Sequence, residues 1–189
     1  MSAQKSQAAP IQSGSLPAGF RYAGTIYALG HLRAYETTYE RPEEDHKPAV
    51  IFKVAVSFSH HCFTEGIDDG DEFSDDQVFT HNGKARLFNV RRWNLSKHLP
   101  AIVGGLALRD CNHAINNNFV TVAVVDEGGN EVEYDVYFRV RKTGKGRLWL
   151  NIESAYVRDS ERKAGRPKGR RVAFLLVLHN ILNGKPVRP

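Results

Sequence analysis

Val132-Glu133-Tyr134-Asp135-Val136-Tyr137-Phe138-Arg139-Val140-Arg141-Lys142, then Thr143-Gly144-Lys145-Gly146, then Arg147-Leu148-Trp149-Leu150-Asn151-Ile152-Glu153-Ser154-Ala155-Tyr156-Val157: two alternating runs and the glycine-bearing link between them decide the fold. Successive side chains of an extended chain point to opposite sides. Tyr134, Val136, Phe138 and Val140 therefore share one face, and Asp135, Tyr137, Arg139 and Arg141 the other. The second run divides in the same way, with Leu148, Leu150 and Ile152 apolar and Trp149, Asn151 and Glu153 opposite them. The short link closes the two runs into an antiparallel hairpin with a core face and a polar platform.

Upstream, Phe119 to Val125 reads as another strand, turned by Asp126-Glu127-Gly128-Gly129-Asn130, so the region is an antiparallel meander. Val50, Phe52, Val54, Val56 and Phe58 alternate with Ile51, Lys53, Ala55 and Ser57 in a largely buried strand. Between them, Leu99, Ile102, Val103 and Leu106 recur at helical spacing. With Ser96 as the cap region and Pro100 in the first turn, one helix ending near Arg109 is expected. Its Gly104-Gly105 pair implies close approach to a sheet. Val172 to Leu182 reads as a buried strand, a short helix being the alternative, and Phe20 to Tyr39 holds a strand or two. The fold expected is α+β, an antiparallel meander sheet of four to six strands packed with one or two helices. Residues 1–19, rich in Ala, Gln, Ser, Gly and Pro, read as a disordered tail, and residues 20–189 as a single α+β domain.

No run of the 189-residue chain has the roughly 18 to 20 consecutive apolar positions of a membrane-spanning helix, and its start lacks a basic-then-apolar leader pattern. No membrane partner and a cytoplasmic location are expected. Charge is unevenly spread. Glu65 to Asp76 carries seven acids and no base, an acidic surface loop, whereas Arg139 to Pro189 carries fourteen Lys or Arg against three acids. Such a basic field favours polyanions, so RNA or another nucleic acid is the first partner to consider.

The polar platform combines rings with cations, which can stack bases and neutralise phosphates. Tyr137, Arg141 and Trp149, together with Arg91, Arg92, Arg166 and Arg170, are the nucleic-acid-binding candidates. Further along the last strand, Ser154, Tyr156 and Arg158 fall by strict alternation on the face that was apolar, either as a site or because the strand leaves the core. Histidines His60, His61 and His113 follow predicted elements. An imidazole beside a phosphate can move the proton of a ribose 2′-hydroxyl while arginine answers the developing charge. The catalytic candidates are His61, His113, Tyr156, Arg158 and Arg139. Cys62, Cys111, His113 and one of His60 or His61 could instead supply four zinc ligands, but their spacing matches no compact zinc motif, so neither metal nor cofactor is expected.

The order of a helix followed by antiparallel strands, with the phrases Tyr134-Asp135-Val136-Tyr137-Phe138-Arg139-Val140 and Leu148 to Asp159, resembles the small ribonuclease toxins of the barnase, EndoU, colicin and RelE group, the BECR fold. The resemblance spans roughly Ser96 to Leu182. It implies metal-free catalysis with varying sets of His, Arg, Lys, Tyr, Ser and Thr on the sheet, without a signature that carries over residue by residue. The function expected is a metal-independent, toxin-like endoribonuclease whose partners are RNA and, on that likeness, an inhibitor or antitoxin protein. The alternative is a non-catalytic nucleic-acid-binding or partner-docking module of a phage-defence or mobile-element system.

Overall fold

A computed structural model describes residues 16–43, 48–113, 118–157 and 169–187. The chain opens with a hairpin, β1 (Gly19–Tyr22) and β2 (Thr25–Ala28), followed by the antiparallel pair β3 (Tyr35–Arg41) and β4 (Val50–Phe58). A single 3-10 turn, His60–Cys62, leads into β5 (Thr64–Glu65), β6 (Val78–His81) and β7 (Lys84–Phe88). Two short helices come next, α1 (Val90–Ser96) and α2 (Leu99–Gly104). The rest is β8 (Asp110–His113), β9 (Asn118–Val125), β10 (Glu131–Lys142), β11 (Leu148–Val157), β12 (Arg170–Ala173) and α3 (Phe174–Leu182).

The main sheet has seven strands in the order β12-β8-β9-β10-β11-β4-β3, beside two- and three-stranded satellites. Strands β9 to β11 form the expected meander, which β8 extends on one side, but it is the middle of a larger sheet, and β11 pairs with β4 in parallel. The expectation of a four-to-six-stranded antiparallel sheet is corrected there: the fold is mixed α/β, mostly strand. Parallel pairing joins segments far apart in sequence, so no local turn signal announces it.

Both ends of the meander follow sequence chemistry closely. The inner face of β10 and β11 buries Tyr134, Val136, Phe138, Leu148, Leu150 and Ile152. Phe174 of α3 sits edge-on to Phe138 at 5.7 Å and to Tyr39 at 5.1 Å, and the Tyr39 hydroxyl donates to the Val103 carbonyl of α2 at 2.8 Å. Helices α2 and α3 therefore lie on the apolar side, and none of these contacts touches the polar platform.

Several local expectations are revised. The helix expected from the Ser96 region to Arg109 is the shorter α2, which keeps Pro100 in its first turn but has His98 in the cap position and ends at Gly104. Ahead of it lies α1, which was not expected, capped by Asn89 accepting from the Arg92 amide at 2.9 Å. Ser96 is instead fully buried, its hydroxyl donating to the Trp93 carbonyl at 2.7 Å. Gly104 ends α2, and a side chain built on it would meet nothing within 4 Å, so the glycine pair marks a helix end rather than a close approach. Val172 to Leu182 divides into the end of β12 and the helix α3. Phe174, Val177 and Leu178 are buried at helical spacing, a period hidden in the sequence because Leu fills the intervening positions too. The tail boundary moves as well: Leu16 packs against the core and β1 begins at Gly19.

The β6–β7 hairpin is closed by Asn82 and Gly83, both at positive φ, the conformation a two-residue hairpin turn demands. An aromatic cluster holds the satellite sheets to the core. Phe88 lies 4.9 Å from Phe20 and 4.8 Å from Tyr27, and Trp93 meets Tyr27 edge-on at 4.9 Å. Among the described residues no helix is long and apolar enough to cross a membrane.

Candidate functional site

The outer face of β10 and β11 is a polar wall whose layout depends on one extra residue. Register pairs Arg141 with Trp149 and Arg139 with Asn151, but then Phe138 with Ile152 and Tyr137 with Ser154. Glu153 is left over as a β-bulge. Past it the alternation shifts by one, so Ser154 and Tyr156 join Tyr137 on the outer face while Ala155 is buried inside. The expectation that Ser154 and Tyr156 continue the apolar inner stripe is overturned by this bulge. Glu153 and Ser154 in succession face the same side, which no strictly alternating strand allows.

A cleft of about 540 Å³ opens there, lined by Glu153, Ser154, Tyr156 and Asn151 of β11, Tyr137 of β10, and Ser59 and His61 of the turn after β4. The turn is fixed to the neighbouring strand: the Ser59 amide donates to the Ile152 carbonyl at 2.8 Å, and the Ser59 hydroxyl accepts from the His61 amide at 3.3 Å. Arg92 of α1 reaches across to clamp it, donating to the Thr64 carbonyl at 2.9 Å and the His61 carbonyl at 3.5 Å. Its guanidinium carbon lies 5.2 Å from the centroid of the Tyr156 ring. Three rings line up along the wall, Phe119 to Tyr137 at 5.3 Å and Tyr137 to Tyr156 at 5.5 Å.

Charge in the cleft is partly answered already. Arg139 and Glu153 form a close ion pair, Nε to Oε1 at 3.0 Å, with side chains 39% and 27% exposed. Burial, and after it the charges of Arg86, Arg92 and Lys84, holds the His61 imidazole below its ordinary range, so at neutral pH it is an uncharged proton acceptor. His60, edge-on to His61 at 4.4 Å and tilted against His81 at 4.8 Å, is pushed down to about 4 by burial and then by His61, His81 and Arg86.

Along the wall from the cleft, Trp149 Nε1 donates to the Ser57 hydroxyl at 2.7 Å, and Ser57 donates to Asn151 Oδ1 at 2.9 Å. The Arg141 guanidinium lies 5.8 Å from the Trp149 ring centroid. The platform is not open throughout. Asp135 is fully buried with Thr121 donating to it at 2.5 Å, and Tyr137 is only 8% exposed.

Of the residues singled out from sequence, His61, Tyr137, Tyr156, Arg139 and Arg92 come together at the cleft, and Trp149 and Arg141 adjoin it. His113 does not. It pairs in register with Asn118, and Asn118 with Phe138, which puts it on the inner-face row two strands from β10; its Nδ1 lies 2.5 Å from Asn118 Oδ1. Arg170 is its register partner at the far sheet edge, and Arg91 lies exposed on α1. Arg158 and Arg166 fall outside the described residues. The zinc arrangement is not formed among the described residues, where no group of three or more His, Cys, Asp or Glu could hold a metal ion. Cys62 and Cys111 are buried apart, donating to the carbonyls of Ile152 and Val172, and burial pushes their thiols up to about 12 and about 11.

Sequence reasoning put Glu153 and Asn151 on the platform but gave them no part in the site, and it overlooked Ser57, Ser59, His81 and Arg86. The Asn82-Gly83 dipeptide between alternating runs was the signal for the β6–β7 hairpin that carries the last two. In comparisons with known proteins, the model of the YjaZ family matches residues 19–182. No curated protein and no solved structure matches.

Proposed function

We propose that this chain, which belongs to the YjaZ family, binds single-stranded RNA along the outer wall of β10 and β11 and cleaves it at the cleft without a metal. The observation that carries the reading is the placing of an uncharged imidazole, His61, in one cleft with Tyr137, Tyr156 and the Arg139–Glu153 pair. His61 takes the proton of a ribose 2′-hydroxyl. The 2′-oxygen forms a bond to phosphorus, the bond from phosphorus to the 5′-oxygen breaks, and the imidazolium returns its proton to that leaving oxygen. The products are a 2′,3′-cyclic phosphate and a 5′-hydroxyl. Arg139, exchanging its carboxylate for the phosphate, and Arg92 answer the charge that builds on the phosphoryl oxygens. Tyr156 and Trp149 offer ring faces to the flanking bases.

The test is incubation of the purified protein with single-stranded RNA in EDTA, with the ends of the products analysed. Cleavage to cyclic phosphate is expected, and His61→Ala should slow it at least roughly a hundredfold while leaving the protein folded. RNA left intact at enzyme excess across several pH values overturns the catalytic reading. A second reading, a binding module without turnover, draws on a specific feature: the cleft's cations are engaged, Arg139 with Glu153 and Arg92 with two backbone carbonyls. Affinity for RNA that falls steeply with salt, without products, selects it.

A further inference from the structure

The hydrogen-bond chain Trp149–Ser57–Asn151 fixes the direction of every proton in it. An indole N–H can only donate, so the Ser57 oxygen accepts from Trp149 at 2.7 Å. Ser57 is buried, 4% exposed, and its one hydroxyl proton must go somewhere; Asn151 Oδ1 at 2.9 Å takes it. Turning the Asn151 amide over would set its NH₂ against the serine and strand that buried hydroxyl proton, at a cost in free energy. The amide is thereby locked with its oxygen toward Ser57. Its nitrogen makes no hydrogen bond among the described residues, and Asn151 lines the cleft.

We infer that Asn151 is a specificity-determining residue that presents only donors to the ligand, with Ser57 as the positioning residue that holds it so. An unrestrained Asn reads adenine by offering its oxygen to the amino group and its nitrogen to the ring acceptor. Here the oxygen is turned to Ser57, so the cleft selects a base whose major-groove edge carries a keto oxygen, guanine or uracil, over one whose same edge carries an exocyclic amine, adenine or cytosine. The inference rests on the RNA reading above and adds which bases that site takes. It uses the parallel β4–β11 pairing, since register sets Ser57 beside Asn151.

The experiment is fluorescence anisotropy with labelled oligouridine, guanosine-containing, oligoadenosine and oligocytidine single strands of equal length, titrated with the full chain at one fixed salt concentration. Wild type is expected to bind the uridine and guanosine strands roughly five- to tenfold more tightly. Asn151→Asp keeps an acceptor for Ser57 but turns an acceptor toward the ligand, so the ratio should invert toward the amino-bearing bases even as overall affinity falls. Ser57→Ala frees the amide to turn and should bring the ratio towards one, a change that mere loosening of the wall would not produce selectively. Equal binding of all four strands by wild type, or an unchanged ratio in Asn151→Asp, overturns the inference and leaves RNA binding standing. Absence of binding to any strand by the folded wild-type protein overturns the RNA reading and this inference with it.

Discussion

Phe138 and Arg139 are neighbours in the chain and inhabit opposite worlds. Phe138 is fully buried against Phe174, on a face where strands and helices exclude water. Arg139, one pleat step later, is part exposed and held by Glu153 on a face that carries a cleft. The inner face fills space, so its residues are constrained by volume and little else. On the outer face polar groups position one another: Trp149 holds Ser57, Ser57 holds Asn151, and Arg92 holds the His61 turn. One face is where stability is made, and the other is where the proposed RNA recognition would take place.

The largest effect should come from cutting into the inner face. Phe138→Ala leaves a cavity beneath α3 and should cost about 3–5 kcal/mol, a large part of the usual stability of a domain. Arg141→Ala on the outer face, where only an exposed contact with Trp149 is lost, should cost less than about 1 kcal/mol. Urea denaturation of the two variants compares them directly, and equal losses would break the division.

Deleting Glu153 tests the joint between the faces. With the bulge removed, Ile152 still pairs with Phe138 and Ser154 with Tyr137, so plain alternation accommodates the same inward and outward residues. A folded protein is expected, weakened by about 1–2 kcal/mol, with Arg139 released from its ion pair. A collapse of folding in the same denaturation measurement would show that the bend at the bulge, and not the register alone, holds the sheet.

The smallest effect is a pH slope at the histidine cluster beside the cleft. Above pH 6.5 His60 is neutral in folded and unfolded chains alike. Between pH 6.5 and about 4 the unfolded chain binds a proton that the folded one refuses. Stability should therefore fall as pH falls through that window and level off near its lower end. Solvent reaches this half-buried ring, so the loss is about 1 kcal/mol. Chemical denaturation at pH 7 and pH 4.5 measures it, and His60→Gln should lessen the difference.

Much of the architecture was legible because it is local. Alternation at 134–141 and 148–152 gave both faces of the hairpin, and the residues brought together at the cleft, Tyr137, Arg139, Tyr156 and His61, were all candidates from sequence. The bulge was not legible, since Glu153-Ser154 reads as an ordinary continuation of the alternation. Nor was the place of His113, whose loop-end position in the sequence resembled that of His61. The two diverge because β4 runs beside β11 whereas β8 is separated from it by β9 and β10.

What the amino-acid order determined alone is which residues are extended, where they turn, and which side of each strand is greasy. These follow from the two-residue period of the backbone and from the conformations open to Gly and Asn. Only the tertiary structure decided that Ser57 meets Asn151, 94 positions away, or that Arg92 of a helix rests on Tyr156 of a strand. Those meetings depend on which strand lies beside which, and that is settled when the whole sheet buries its apolar face at once, a global minimum that no short stretch of sequence encodes.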